Sequence, residues 1–131
     1  MKLLLDTHIW VWSVAEPARL APGVAAALED PSNELWLSPI STWELFVLVD
    51  RGRLVLDIEP ARWVRRVLRQ APFREAPLTH EVAMRSPSID LRHRDPADRF
   101  LAATAAVHGL TLVTADARLF HSTQYAVLPN R

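Results

Sequence analysis

The chain has 131 residues, half of them hydrophobic, with no cysteine and a formal net charge of zero. This composition predicts one domain over residues 1–131 and excludes disulfides and thiolate metal sites. No apolar run approaches the ~20 residues that a membrane-spanning helix needs. Asp6 interrupts the apolar start too early for a secretory signal, so we expect a cytoplasmic protein without a membrane segment.

Apolar runs alternate with turn signals along the whole chain. In chain order, the pattern predicts a strand at 2–5, helices at 8–14 and 22–28, a strand at 34–37, helices at 41–49 and 59–69, a strand at 74–76, a helix at 80–85, a polar loop at 87–94, a helix at 95–108, a strand at 110–114, a helical turn after residue 116 and a strand at 125–128. Strands that alternate with helices indicate an α/β fold with a central parallel sheet covered on both faces.

The charges are unevenly distributed. Residues 51–94 carry ten Arg and five acidic residues, a net charge of +5, and the remainder carries five basic and ten acidic residues, a net charge of −5. This asymmetry indicates a basic middle segment beside an acidic pocket.

Four carboxylates, Asp6, Glu44, Asp98 and Asp116, each lie where an apolar run gives way to a helix start. If the runs are parallel strands, these positions share the carboxyl edge of the sheet, where ligands bind in open α/β folds. Carboxylates crowded there would repel one another, and a hard divalent cation bound by their oxygens is the usual remedy. The pattern therefore favours metal-dependent phosphodiester chemistry.

Each of these acids also has a local explanation. The segment 41–44, Ser-Thr-Trp-Glu, fits a capping box, and Asp95 fits a helix cap that would place Asp98 in the first turn. Asp6 and Asp116 could be helix caps themselves. The two roles are compatible, because a helix N-terminus carries positive partial charge and eases the crowding of carboxylates.

The segments LLLDTHIWVW, LSPISTWELFVLVDRGRL and HRDPADRFLAATAAVHGLTLVTAD carry a family resemblance. At these residues the chain resembles the PIN-domain family, and within it the VapC toxins of bacterial toxin–antitoxin pairs. The resemblance implies a three-layer α/β/α domain with a central parallel sheet, an acidic pocket that holds Mg²⁺ or Mn²⁺, and cleavage of RNA. The four acids of the family fall on Asp6, Glu44, Asp98 and Asp116.

The resemblance also implies roles and partners. Asp6, Asp98 and Asp116 would hold one or two cations, and Glu44 would ligate a cation, hold a water molecule or act as a general base. The expected partners are an RNA substrate, a small VapB-like antitoxin whose C-terminal segment reaches the acidic site, and a second copy in a homodimer. Three alternatives stay open: a PIN nuclease of RNA processing without an antitoxin, a non-catalytic binding module, and a phosphotransfer receiver or phosphatase domain. The last would need a lysine near a nucleophilic aspartate, and the only lysine, Lys2, is at the start of the first predicted strand.

Other side chains near the acids could assist them. Phosphate contact or orientation of an acid is a possible role for four basic residues, His8, His93, Arg94 and Arg99. A structural salt bridge is the favoured role for Arg99, since neighbours in sequence do not share a helix face. Among three nearby hydroxyls, Thr114 is a candidate to hold a carboxylate, whereas Thr7 and Ser38 are expected to be local caps.

Two further groups have open roles. Arg62, Arg65, Arg66 and Arg69 form one helical face that could follow an RNA backbone, meet an acidic partner segment or simply be solvated. The five tryptophans are expected in the core, except that Trp10 and Trp12 cannot both face inward from one helix, which points to an interface for one of them.

Overall fold

A computed structural model describes residues 1–131 as a five-stranded sheet with six helices. The strands are β1 (Lys2–Leu5), β2 (Glu34–Leu37), β3 (Phe73–Glu75), β4 (Thr111–Thr114) and β5 (Ala126–Pro129). The helices are α1 (Thr7–Ala15), α2 (Pro22–Glu29), α3 (Pro39–Asp50), α4 (Pro60–Gln70), α5 (His80–Arg85) and α6 (Pro96–His108). Short 3₁₀ turns lie at Pro17–Arg19, Ser86–Ser88 and Ala117–Leu119. None of the helices has the length and apolar character required to span a bilayer.

All neighbouring strands are parallel, in the order β3-β2-β1-β4-β5. Strand β2 lies beside β1, and β3 lies beside β2. The chain then crosses over, so that β4 and β5 lie on the other side of β1. The strand order therefore reverses between β1 and β4, and in open α/β sheets a crevice for ligands forms at the carboxyl end of such a point.

Side chains alternate between the two faces of the sheet, and each face has its own hydrophobic core. Leu3, Leu5 and Val113 pack in one cluster with buried side chains of α1 to α4. Leu4 and Leu112 pack in the other cluster with α5 and α6. Strands that are apolar on both sides need helices on both faces, and this confirms the predicted α/β/α architecture.

The predicted elements are all present, and most bounds differ by one or two residues. The difference at α3 matters most, because this helix begins at Pro39 and is capped by Ser38, whose Oγ accepts from the Ile40 amide at 3.0 Å. The predicted capping box over residues 41–44 is therefore wrong. Ser41 lies inside the helix, and Glu44 lies in its second turn, too far from the N-terminus to cap it.

The start and end of α6 agree with the sequence. Asp95 is its N-cap and accepts from the amides of Ala97 and Asp98 at 2.9 and 3.4 Å. Pro96 occupies the first helical position, where the missing amide proton costs nothing. Gly109 ends the helix in the left-handed region at φ 65°, which glycine adopts without a Cβ penalty.

Candidate metal-dependent active site

The four predicted acids line one groove at the carboxyl edge of the sheet. Asp6 follows β1 and Asp116 follows β4, the two strands at which the strand order reverses, while Glu44 comes from α3 and Asp98 from the first turn of α6. The groove encloses about 1040 Å³. The structure therefore brings together all four acids that the sequence singled out.

Asp6 is held by strand β4 and by the first residue of α1. Its amide donates to the Val113 carbonyl at 2.9 Å and so extends the β1–β4 ladder. Its Oδ1 accepts from the Thr7 amide at 2.7 Å, and its Oδ2 accepts from the Thr114 hydroxyl at 2.7 Å. Burial raises the pKa of Asp6, although both hydrogen bonds act in the opposite direction. Asp6 is thus a helix cap and a fixed carboxylate of the groove at the same time.

Asp98 is paired with His93, one of the four basic residues noted near the acids. The His93 Nε2 lies 2.8 Å from Asp98 Oδ2, and both side chains are largely buried. Burial, followed by repulsion from Asp6, raises the pKa of Asp98 to about 7, and the contact with His93 lowers it in part. His93 therefore orients Asp98, and its Nδ1 is buried without a hydrogen-bond partner.

Asp116 has the opposite electrostatic environment. Hydrogen bonds from the Arg118 guanidinium lower the pKa of Asp116, with Arg118 Nη2 at 2.7 Å from Oδ2 and Nε at 3.0 Å from Oδ1. The Asp116 Oδ1 also caps the following 3₁₀ turn by accepting from the Arg118 amide. Arg118 was not among the residues predicted from the sequence, where its only signal was its position two residues beyond a predicted cap, which is a common arrangement.

Glu44 enters the groove from the second turn of α3. Burial raises the pKa of Glu44, and repulsion from Asp6 adds to the effect. The Thr7 hydroxyl lies close enough to lower that pKa, yet it is buried and makes no hydrogen bond within 3.5 Å. Glu44 is therefore a partly buried carboxylate without a fixed cationic partner.

The donor set fits a hard divalent cation. One nitrogen of His93 and one oxygen each of Asp98 and Asp116 lie within 4.8 Å of one another. This cluster shares Asp98 and Asp116 with the predicted ligand set. Carboxylate oxygens are the ligands that Mg²⁺ and Mn²⁺ prefer. Burial, and to a smaller extent repulsion from neighbouring acids, raises the pKa of Asp6 and Asp98, and a bound cation would favour their ionised forms.

The hydroxyl predictions are confirmed for Thr114 and Ser38. Thr114 donates to Asp6 and also accepts from the Asp116 amide at 3.0 Å, so one hydroxyl connects two of the acids. Ser38 is a local cap. Thr7 caps nothing through its hydroxyl, contrary to expectation, because its backbone amide makes the contact with Asp6.

The salt bridge expected for Arg99 is wrong. Its guanidinium donates to the backbone carbonyls of Ser86 and Ile89 at 3.1 and 2.7 Å, so it secures the segment that leads to α6. His8 is exposed and lies against the Trp12 ring, with 5.7 Å between the ring centroids. Arg94 is exposed as well.

Apolar and arginine side chains also line the groove. Trp12, Leu54 and Val55 contribute apolar surface, and Arg19 and Arg66 contribute positive charge. The Arg19 guanidinium carbon lies 4.2 Å from the Trp12 ring centroid, which is a cation–π contact. Both arginines are paired with acids that line the same groove, Arg19 with Glu16 at 3.4 Å and Arg66 with Asp57 at 3.6 Å, so this part of the lining offers apolar surface and ion pairs.

The tryptophans and the arginine face of α4 have distinct environments. Trp10 is fully buried, edge-on to Trp63, and Trp12 is half-buried in the groove, so the two do face differently. Trp43 is 50% exposed on α3, and the core position expected for it is wrong. On α4, Arg62, Arg65 and Arg69 are exposed, whereas Arg66 is half-buried and lies 3.6 Å from Asp57.

Comparisons with known proteins show the family and the fold of this chain. Residues 3–124 match the PIN domain family. The chain is 36% identical over 118 residues to Ribonuclease VapC22 of Mycobacterium tuberculosis, covering 89% of this chain and 88% of the relative. Among solved structures, FitAcB from Neisseria gonorrhoeae aligns with a TM-score of 0.62 and 29% identity over 98% of this chain and 97% of that one. VapBC2 from Rickettsia felis, solved bound to a DNA fragment from its promoter, aligns with a TM-score of 0.71 and 16% identity over 98% of both chains.

Proposed function

This chain belongs to the PIN domain family, and from that premise we propose that it is a metal-dependent endoribonuclease, the toxin of a toxin–antitoxin pair. The observation that carries the proposal is the meeting of Asp6, Glu44, Asp98 and Asp116 in one groove at the reversal of the strand order. The relative named as a ribonuclease supports RNA as the substrate.

In this proposal Asp6, Asp98 and Asp116 hold the cation, and His93 is a candidate to hold it with them. A bound Mg²⁺ or Mn²⁺ would neutralise charge on the scissile phosphate and polarise a water molecule. Thr114 keeps Asp6 and the backbone of Asp116 in register, and His93 keeps Asp98 turned towards the groove. Supporting contacts of this kind orient ligands before a cation arrives.

Glu44 is the group that we propose to receive the proton of the attacking water. Burial and the neighbouring Asp6 raise the pKa of Glu44. A carboxylate with a raised pKa is a stronger base and accepts a proton more readily near neutral pH. The water oxygen would bond to phosphorus as one P–O ester bond breaks, Glu44 would take the water proton, and the departing oxygen would take up a proton from solvent.

The wall of the groove suits the proposed partners. The phosphates of RNA are attracted to its arginines, such as Arg19 and Arg66. A VapB-like antitoxin segment would use the apolar surface around Trp12 and Val55 and block access to the acids. Solved VapBC complexes with the same fold support an antitoxin partner. The expected homodimer and cytoplasmic location stay predictions from the sequence.

Induced expression in a bacterial host tests the proposed role. We expect the wild-type chain to arrest growth and produce discrete RNA fragments, and Asp6→Asn to do neither. Asp50→Asn changes an exposed acid at the end of α3 and should behave like the wild type. Growth arrest by Asp6→Asn at an equal protein level, without RNA fragments, would contradict the nuclease proposal.

A further inference from the structure

Arg118 places its guanidinium on the acids of the groove. Its Nη2 lies 2.7 Å from Asp116 Oδ2 and 3.8 Å from Asp98 Oδ2, and its Nε contacts both oxygens of Asp116 at 3.0 and 3.2 Å. No other cationic side chain is within 4 Å of Asp116. One positive group therefore spans two of the carboxylates that belong to the proposed cation site.

The atoms that Arg118 contacts are those of the donor cluster. Asp98 Oδ2 also contacts His93 Nε2, and the three residues His93, Asp98 and Asp116 present their donor atoms within 4.8 Å of one another. Two positive charges close to the same oxygens repel each other strongly in a partly buried site. Arg118 in this position and a divalent cation on Asp98 and Asp116 are thus mutually unfavourable.

Arg118 is free to leave without disturbing the core. Its side chain is 58% exposed, and it extends from a three-residue 3₁₀ turn on the rim of the groove. Exposed ion pairs contribute little net stability, because water solvates both partners when they separate. The Arg118 guanidinium can therefore occupy Asp98 and Asp116 in the absence of a cation and be displaced by one.

We propose that Arg118 is a built-in counter-ion, which competes with the divalent cation for Asp98 and Asp116 and must swing out before the cation binds. This inference rests on the proposed metal-dependent function. It differs from a purely supporting role, in which Arg118 would hold Asp116 in the orientation that a cation needs. The two roles predict opposite changes in cation affinity when the guanidinium is removed.

The test is Mn²⁺ binding to the purified protein without RNA, measured by isothermal titration calorimetry. If Arg118 competes, Arg118→Gln binds Mn²⁺ about three- to fivefold more tightly than the wild type, the range that an exposed ion pair allows. Arg118→Lys keeps the charge but loses the planar fork, so its affinity should lie between the two. Cleavage activity does not enter this measurement.

Arg66→Gln is the matched control. Arg66 lines the same groove but contacts Asp57 rather than the four acids, so its replacement removes the same charge without freeing Asp98 or Asp116. We expect its Mn²⁺ affinity to stay within about 1.5-fold of the wild type, because charges separated by solvent are screened. An equal gain in both variants would reduce the effect to net charge and overturn the competition.

The remaining outcomes separate this inference from the proposed function. If the wild type binds Mn²⁺ and Arg118→Gln binds it equally or more weakly, the counter-ion role is overturned. The proposed metal site is not affected by that result. Absence of Mn²⁺ binding in the wild type and in every variant overturns the metal site, and the counter-ion role with it. Binding by Arg118→Gln alone would be the strongest form of the expected result.

Discussion

The Thr114 hydroxyl donates to Asp6 Oδ2 at 2.7 Å, across two strands whose residues are 108 positions apart in the chain. The same hydroxyl accepts from the Asp116 amide at 3.0 Å. One side chain thus fixes the ends of β1 and β4 at the point where the strand order reverses. The two acids from these strands are held in place before any cation or substrate is present.

Replacement of Thr114 by valine tests this connection. Thr114→Val keeps the shape of the side chain but removes both hydrogen bonds of the hydroxyl, so the Asp6 carboxylate is left with the Thr7 amide as its one hydrogen-bond donor. Loss of such a supporting contact typically lowers metal affinity or activity about 10- to 100-fold. Thr111→Val, on the same strand but away from the acids, should leave RNA cleavage unchanged. Equal activity of the two variants would show that the hydroxyl does not matter.

The raised pKa of Asp98 predicts how stability depends on pH in the metal-free protein. Folding raises this pKa from an ordinary 3.8 to about 7, so the folded state binds the proton more tightly than the unfolded state does. Its contribution to stability is complete below about pH 3.8, decreases as the pH rises, and is lost above about 7. Thermal unfolding in EDTA should therefore show the wild type losing stability, relative to Asp98→Asn, between pH 5 and 7.

Parallel pH profiles of the two proteins would contradict that assignment. The difference between the profiles is the relevant quantity, because it removes the contributions of carboxylates that both proteins share. We also expect Mn²⁺ to raise the unfolding temperature of the wild type most above pH 7, where Asp98 is ionised and lacks its proton.

Glu44→Gln separates proton transfer from cation binding. The amide keeps the size of the side chain but cannot accept a proton. We expect RNA cleavage to decrease about 100-fold or more, the usual contribution of a general base, while Mn²⁺ affinity stays within about threefold of the wild type. A complete loss of Mn²⁺ binding would instead make Glu44 a direct ligand.

The exposed arginines of α4 should contribute to RNA affinity. Arg65 and Arg69 are exposed on the same helix as Arg66, which lines the groove. In an Asp6→Asn background that prevents cleavage, we expect Arg65→Glu with Arg69→Glu to weaken RNA binding and to flatten its dependence on salt. Each lost phosphate contact should reduce the slope against log salt by about 0.7 for a single strand.

The control for this experiment is Arg85→Glu with Arg92→Glu, two exposed arginines that lie outside α4. This pair changes the net charge equally and should leave most of the salt slope in place. An unchanged slope in the α4 variant would mean that this face is only solvated or meets a protein partner.

The fold was predictable because its signals are local and repeat along the chain. Apolar runs such as Leu3–Leu5 precede helix starts, and caps such as Asp95 and Gly109 mark the ends of α6. The four acids were predictable as a group, because parallel strands bring their carboxyl ends to one edge of the sheet.

Contacts between distant residues were harder to predict. The pairing of His93 with Asp98 depends on how the seven-residue segment 89–95 folds back on α6, and the fork of Arg118 on Asp116 depends on a side-chain rotamer. The start of α3 was misread because Ser41 and Glu44 fit a capping box, although Ser38 followed by Pro39 is an equally good start signal. Competing local signals of this kind are resolved only by packing.

Cleavage of a defined single-stranded RNA by the purified protein tests the central claim most directly. The reactions contain Mg²⁺ or Mn²⁺, or EDTA, and each is repeated with Asp6→Asn. We predict cleavage that requires the cation, stops with EDTA and is absent from the variant. Equal cleavage in EDTA, or by Asp6→Asn at the same purity, would mean that the four acids do not form the nuclease site.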